Sequence, residues 1–306
     1  LGPLVSPTVP TSWRANTLAV GAGVLADLAL GEPTFDPHPV SAFGQLMQKI
    51  EAVLYRDRRS AGVLHTVAGV AIGVAAGRSV RSTAVATYIS VAHTALMEAA
   101  LDIARALEAG DLPAARDLLP TLVGRDPTDL GAAEISRAVV ESLAENTVDA
   151  VVAPILWALA AGAPGALAYR AVNTMDATVG YRNERYANFG WASARLDDVA
   201  NFIPARVTAA LVVLVRPGAF GAVWRAVRQD APQHPSPNAG VAEAAFAAAL
   251  GLRLGGVNRY GSVEERRAAL GHGRLPECRD IAATVTLCRH VTYAVVALLV
   301  LFGTLG

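Results

Sequence analysis

The run Ile281-Ala-Ala-Thr-Val-Thr-Leu-Cys288-Arg289-His290-Val-Thr-Tyr-Ala-Val-Val-Ala-Leu-Leu-Val-Leu-Phe-Gly-Thr-Leu305 decides the fold class. It approaches the ~20 apolar residues that carry a helix across a bilayer, and only Arg289 and His290 interrupt it. Further apolar segments fall at 15–30, 61–77, 82–97, 147–168 and 207–215. They are short or carry polar residues, so some are expected to be tilted or packed inside a bundle. Alanine and leucine dominate, and no run alternates with period two, which favours helix over strand throughout. The reading is an all-α integral membrane bundle with roughly four or five membrane-embedded helices and cytoplasmic helical segments. Residues 1–14 read as an N-terminal extension and 15–306 as one membrane-embedded domain.

Composition supports this. Hydrophobic residues make up 53% of the 306 and charged residues 17%, against about 25% charged in soluble domains. Mean hydropathy is +0.38. Too little charge remains to cover a soluble surface. With 26 basic and 26 acidic residues the net charge is zero, which gives no electrostatic case for nucleic-acid binding. Cys278 and Cys288 form no metal or redox spacing and read as buried thiols. Asp27 inside the 15–30 run, and the lack of a small-residue cleavage pattern, argue against a signal peptide.

Residues 94–109 read as an amphipathic helix stopped at Gly110. Pro232, Pro235 and Pro237 mark 228–240 as a loop. Arg56, Arg58 and Arg59 precede the 61–77 segment, and Arg78 and Arg81 follow it. If that segment crosses the membrane, one arginine cluster lies on the far side, against the positive-inside tendency. A re-entrant or interfacial 61–77 would remove the conflict. The polar stretches 98–146, 169–206 and 216–280 are expected to face the cytoplasm.

Polar residues gather beside the apolar segments, an expensive arrangement that points to function. The first cluster is Asp27, Gly31-Glu32-Pro33 and His38-Pro39-Val40; His38 could be a base or ligand, or part of a rigid turn. The second runs from Gly124-Arg125-Asp126 to Asp149. On a regular helix from about 131, Glu134, Glu141, Glu145 and Asp149 fall within a stripe about 80° wide. Like charges at i,i+4 repel, so the stripe needs a cation, arginines or raised pKa values, unless it is a solvated acidic face with Arg137 as partner. The third cluster is Asn173-Thr-Met-Asp176 and Tyr181-Arg182-Asn183, and the fourth Arg195-Leu-Asp197-Asp198 with Asn201 and Arg206. The pairs Asn146/Asp149, Asn173/Asp176 and Asp198/Asn201 each place two oxygen donors on one helix face. Hard cations such as Mg²⁺ prefer such oxygens, shared with a phosphate; Asx residues also cap helices. The fifth cluster is Asp230, His234, Ser236-Pro237-Asn238 and Glu243. No Walker-type glycine loop, GxSxG or HExxH is present.

These clusters carry a resemblance. Asp27, Gly31-Glu32-Pro33, His38-Pro39-Val40 and Gly124-Arg125-Asp126 resemble the CobD/CbiB family of cobalamin biosynthesis. So do the run Arg137 to Asp149, then Tyr169-Arg170-Ala-Val-Asn173-Thr-Met-Asp176 and Gly180-Tyr181-Arg182-Asn183. The likeness continues through Ala194-Arg195-Leu196-Asp197-Asp198, Asn201 and Pro204-Ala205-Arg206 to Ser236-Pro237-Asn238-Ala239-Gly240 and Gly255-Gly256. In order, these cover roughly residues 20 to 265. Thr128 stands one place later than the threonine that often follows the Asp in the family.

The resemblance implies an ATP-using ligase in the cell (inner, cytoplasmic) membrane. Such an enzyme joins adenosylcobyric acid to (R)-1-amino-2-propanol or its O-phosphate at the f propionate, giving adenosylcobinamide or its phosphate. ATP and Mg²⁺ are the cofactors expected. The partners expected are the corrinoid, the amine and the lipid bilayer, with self-association and other membrane-bound enzymes of the pathway as further candidates. Glu141, Glu145, Asp149 and His38 are the candidate catalytic residues. Glu145, Asp149, Asp176, Asp197 and Asp198 are the candidate metal ligands. Arg125, Asp126, Asn146, Asn173, Tyr181, Arg182, Asn183, Arg195, Arg206, Ser236 and Asn238 are the candidate substrate or phosphate contacts. The alternatives are a non-catalytic sensor like the AmpE inner-membrane proteins, and a corrinoid-binding scaffold.

Overall fold

In a bilayer every backbone polar group must find its partner within the protein, which leaves the helix as the form for alanine-rich apolar segments. The computed structural model describes residues 11–124, 126–181, 183–260 and 263–305. Its helices are α1 (Thr11–Leu30), α2 (Pro39–Leu54), α3 (Arg59–Val80), α4 (Thr83–Ser90), α5 (His93–Glu108), α6 (Leu112–Leu118) and α7 (Ala132–Thr147). They continue as α8 (Ala153–Val179), α9 (Trp191–Ala200), α10 (Phe202–Val215), α11 (Phe220–Gln229), α12 (Ala239–Leu250) and α13 (Cys278–Leu305). Four stretches are long and apolar enough to cross a membrane: Arg59–Val80, Thr83–Glu108, Ala132–Val179 and Cys278–Leu305. The pair α9–α10, bent by 41°, would make a fifth. The all-α membrane bundle expected from composition is the fold observed.

The exception among the described residues is one antiparallel hairpin, β1 (Leu254–Tyr260) and β2 (Val263–Leu270). It leaves the end of α12 and is anchored on α7. Gly255 donates its N–H to Glu141 Oε1 at 2.8 Å, and its carbonyl accepts from Arg137.

The stretch from α7 to α8 positions the site. A π-helical turn, Val148–Val152, joins the two helices. Such turns inside α-helices are rare and often mark functional sites. α8 then breaks at Ala161 and Gly162, the latter at φ 63° and ψ −149°, a conformation open essentially to glycine. Pro164 follows and has no N–H to continue the ladder. The chain therefore reverses, and Tyr169 and Asn173 return beside Asp149. The carbonyls of Ala158 and Leu159, orphaned by the break, accept from Asn16 Nδ2 of α1 at 3.1 Å each, and Thr83 donates to Asn16 Oδ1 at 3.1 Å. This is the polar compensation a helix end requires. The apolar segment at 147–168 is thus an arm, a turn and an arm.

α3 lies along the returning arm of α8. Gly69, Gly73 and Gly77 meet Met175, Leu167 with Ala171, and Pro164 in turn, leaving no room for a side chain. Small residues four apart are what allow membrane helices this close an approach. α3 is continuous from Arg59 to Val80, so the arginines before and after it stand at opposite ends. The re-entrant form of 61–77 does not occur. α5 ends at Glu108 ahead of Gly110, as the sequence indicates. Its start is tied to α1: Asp27 Oδ2 accepts from the Thr94 N–H and hydroxyl, each at 3.1 Å.

Candidate functional site: a carboxylate cluster between α8 and α9

Asp149 stands on the π turn and Asp176 on the returning arm of α8. Asp197 and Asp198 stand on α9. Asp149 lies within electrostatic range of Asp197, Glu145 and Asp176, and Asp176 within range of Asp197, Glu145 and Asp198. The five carboxylates proposed as metal ligands therefore converge. Amides and a phenol bind them together. Asn173 Nδ2 donates to Asp149 Oδ2 at 3.3 Å. Asn201 Nδ2 donates to Asp197 Oδ2 at 3.0 Å. The Tyr169 hydroxyl lies 2.8 Å from Asn201 Oδ1 and 3.2 Å from the Asp149 carbonyl oxygen. Tyr169 and Asn201 are 2% and 1% exposed. Trp157 Nε1 donates to the Ala200 carbonyl at 3.1 Å, fixing the bend at which α9 presents its aspartates.

Asp197 Oδ1 is shut off from solvent and meets no hydrogen-bond partner. A buried carboxylate oxygen in that state costs free energy unless a ligand satisfies it. Among the described residues no group of three or more His, Cys, Asp or Glu side chains is arranged to hold a metal by itself. The all-oxygen donor set fits magnesium in its usual form, held by one or two carboxylates and completed by substrate phosphate and water.

The predicted acidic stripe divides. Glu134 Oε2 accepts the Gly131 N–H at 2.8 Å and so caps α7 from its third position. Glu141 is 2% exposed and is committed to the hairpin through Gly255. Glu145 and Asp149 face the cluster, and the π turn carries Asp149 off the regular 100° register on which the stripe was drawn.

The remaining candidates take varied places. Arg195 pairs with Asp198 at 3.5 Å on the open side. Arg206 donates to Asn238 Oδ1 at 3.1 Å and to the Pro237 carbonyl at 3.3 Å, with its guanidinium 3.6 Å from the Phe202 ring centroid. Asn238 Nδ2 donates to the Asp198 carbonyl at 2.7 Å, so these two brace the end of α9. Ser236 Oγ accepts the N–H groups of Asn238 and Ala239 at 3.3 and 3.2 Å, at the start of α12. His38 Nδ1 accepts the Val40 N–H at 3.3 Å as the cap of α2, and its Nε2 lies 3.9 Å from Glu32 Oε1. Asn146 donates to the Ser142 carbonyl and hydroxyl oxygens. Asn183 accepts from the Tyr186 N–H at 2.9 Å, beside the exposed Tyr181. Asp126 accepts from the Thr128 hydroxyl and N–H, and these bonds hold its carboxyl below the usual range. Arg125 and Arg182 lie outside the described residues.

Four residues of the site were not among the candidate site residues: Glu32 and Asn201 entered as members of polar clusters, and Tyr169 and Arg170 only through the family resemblance. Arg170 adjoins Tyr169 in the run Tyr169-Arg170-Ala-Val-Asn173, and Asn201 closes the pattern Asp197-Asp198-Val-Ala-Asn201. In each case the signal was adjacency to a residue already singled out.

The decisive comparison is with a family model described as CobD/Cbib protein, which matches residues 20–288. The chain belongs to the CobD/CbiB family. It is 46% identical over 294 residues to a Mycobacterium tuberculosis protein named cobalamin biosynthesis protein CobD, covering 92% of this chain and 94% of that one. A protein of the same name from Geobacter metallireducens is 46% identical over 256 residues, 78% of this chain and 80% of its own. One from Klebsiella pneumoniae is 40% identical over 284 residues, 84% and 86% respectively. No solved structure matches. The chain is therefore a multi-pass membrane protein of cobalamin biosynthesis, and the cluster is built on stretches inside the family match.

Proposed function

We propose that this protein forms the amide between the f propionate of adenosylcobyric acid and (R)-1-amino-2-propanol or its O-phosphate, yielding adenosylcobinamide or its phosphate, at the cytoplasmic membrane. The observation that carries the reading is the convergence of Glu145, Asp149, Asp176, Asp197 and Asp198 in a chain of this family, with Asp197 Oδ1 left for a ligand.

A carboxylate is a poor acylating agent because its oxygen leaves badly. Transfer of the ATP γ-phosphoryl group to a propionate oxygen releases ADP and makes that oxygen a leaving group. The amine nitrogen then bonds to the acyl carbon, phosphate departs, and the ammonium proton passes to a base. The cluster suits these needs. Its carboxylates attract the ammonium and offer an oxygen to receive its proton. Asn173 and Asn201 hold Asp149 and Asp197 in fixed orientations, which reduces reorganisation during reaction. Magnesium, bound through one or two carboxylates, would screen the phosphate charge.

The test is turnover by the purified protein in detergent with adenosylcobyric acid, either amine, ATP and Mg²⁺, the corrinoid being read by mass. The reading expects a gain equal to the amine less one water. Corrinoid binding without any amide, with either amine, would instead make the protein a binding scaffold.

A further inference from the structure

Arg170 is one helical turn from Asn173 on the returning arm of α8, next to Tyr169. Asp149, and Glu32 from the loop after α1, both lie within electrostatic range of it. Its hydrogen bond to Asn173 Oδ1 is long, at 3.4 Å. Its Nε is shut off from solvent and meets no partner. A guanidinium carries five N–H donors in a rigid fork suited to carboxylate or phosphate, and a buried donor left unmet is costly. Of the nearby carboxylates, Asp149 accepts from Asn173 through Oδ2, and Glu32 Oε1 lies 3.9 Å from His38 Nε2. Among the described residues, Arg206 is held by Asn238 and Pro237, and Arg195 pairs with Asp198 on the open side of the cluster.

The geometry points to Arg170 as the anchor for the anionic oxygens of a substrate held against the carboxylate cluster. This rests on the proposed function and deepens it, since an acidic site that accepts an anionic substrate needs a cation within it. The ligand chemistry is a carboxylate or phosphate oxyanion. Two substrates could bring it: the corrinoid propionate, or the O-phosphate of the amine. Arg170 would orient that group through two parallel N–H···O bonds, the pattern lysine cannot reproduce.

The test compares wild type with Arg170→Gln and Arg170→Lys in detergent, measuring kcat and KM separately for adenosylcobyric acid, free amine and phosphorylated amine. The inference expects Arg170→Gln to raise KM about tenfold or more for one anionic substrate, the loss of a charged hydrogen-bonding pair. Arg170→Lys should recover part of it. A rise confined to adenosylcobyric acid assigns the propionate. A rise for the phosphorylated amine, with the free amine unaffected, assigns the phosphate. Unchanged KM values for all three, or a fall in kcat alone, would overturn the inference. So would loss of folded protein in both variants, judged by gel filtration and melting, because that makes Arg170 a packing residue. If wild type makes no amide, the reaction assignment falls separately. Pyrophosphate-induced stabilisation of wild type but not of Arg170→Gln then still supports the anion site, and equal responses refute it.

Discussion

The side-chain amide of Asn173 donates to Asp149 Oδ2 at 3.3 Å across a helical reversal whose turn is Gly162. Two residues far apart in the chain meet because the helix breaks midway between them. The cluster therefore depends on a backbone conformation at a position remote from its chemistry.

Gly162→Ala should test that dependence. Alanine adopts the Gly162 conformation poorly, at a cost of about 1–3 kcal/mol. The space itself is tolerable, since the nearest atom to an added Cβ is Thr83 Oγ1 at 3.4 Å. Thermal melting in detergent should show the loss of stability, and activity should fall with the misplaced Asn173. An unchanged melting temperature would show that the break is held by something other than Gly162.

The divided stripe makes a second set of variants informative. Glu134→Gln keeps a capping acceptor and should stay within about ±0.5 kcal/mol of wild type with normal activity. Glu141→Ala removes the acceptor of the buried Gly255 N–H and should destabilise the fold by about 1–3 kcal/mol. Glu145→Gln should leave melting unchanged and remove most of the amide-forming activity. Equal effects of all three on activity would mean that these three acids act as one surface.

Tyr169→Phe tests the link from α8 to α9. It removes the hydroxyl that fixes Asn201, which in turn orients Asp197. The expected result is a higher Mg²⁺ concentration for half-maximal activity, with a smaller change in melting. Unchanged Mg²⁺ dependence would confine Tyr169 to packing.

Membrane integration has its own check. After carbonate washing the protein should remain in the membrane pellet and require detergent for release. Recovery in the soluble fraction would contradict the bundle.

Composition and hydropathy made the all-helical bundle legible, and the Asn/Asp spacings made most of the cluster legible, because both are local patterns on single helices. The reversal at Gly162 was harder to see. Ala161-Gly162-Ala163-Pro164 lies inside a continuous apolar run, and the partners that stabilise the break, Asn16 and Thr83, belong to other helices. The hairpin was missed because its strands do not alternate, and its anchorage on α7, from Arg137 and Glu141 to Gly255, is non-local. His38, Glu134 and Ser236 turned out to accept backbone N–H groups at helix starts, a use that the same residue types share with catalysis. Arg170 is marked in the sequence only by its neighbours Tyr169 and Asn173; the return of α8 brings it within range of Asp149.

The most direct measurement is the rate of corrinoid amide formation by Asp197→Asn at saturating ATP and Mg²⁺, beside wild type. Asparagine keeps the shape and removes the charge from the oxygen that has no partner in the protein. The account predicts a fall of about 10²-fold or more, with gel-filtration profile and melting unchanged. A rate within about threefold of wild type, less than ~1 kcal/mol of lost transition-state stabilisation, would contradict the claim that this cluster is where the amide is made.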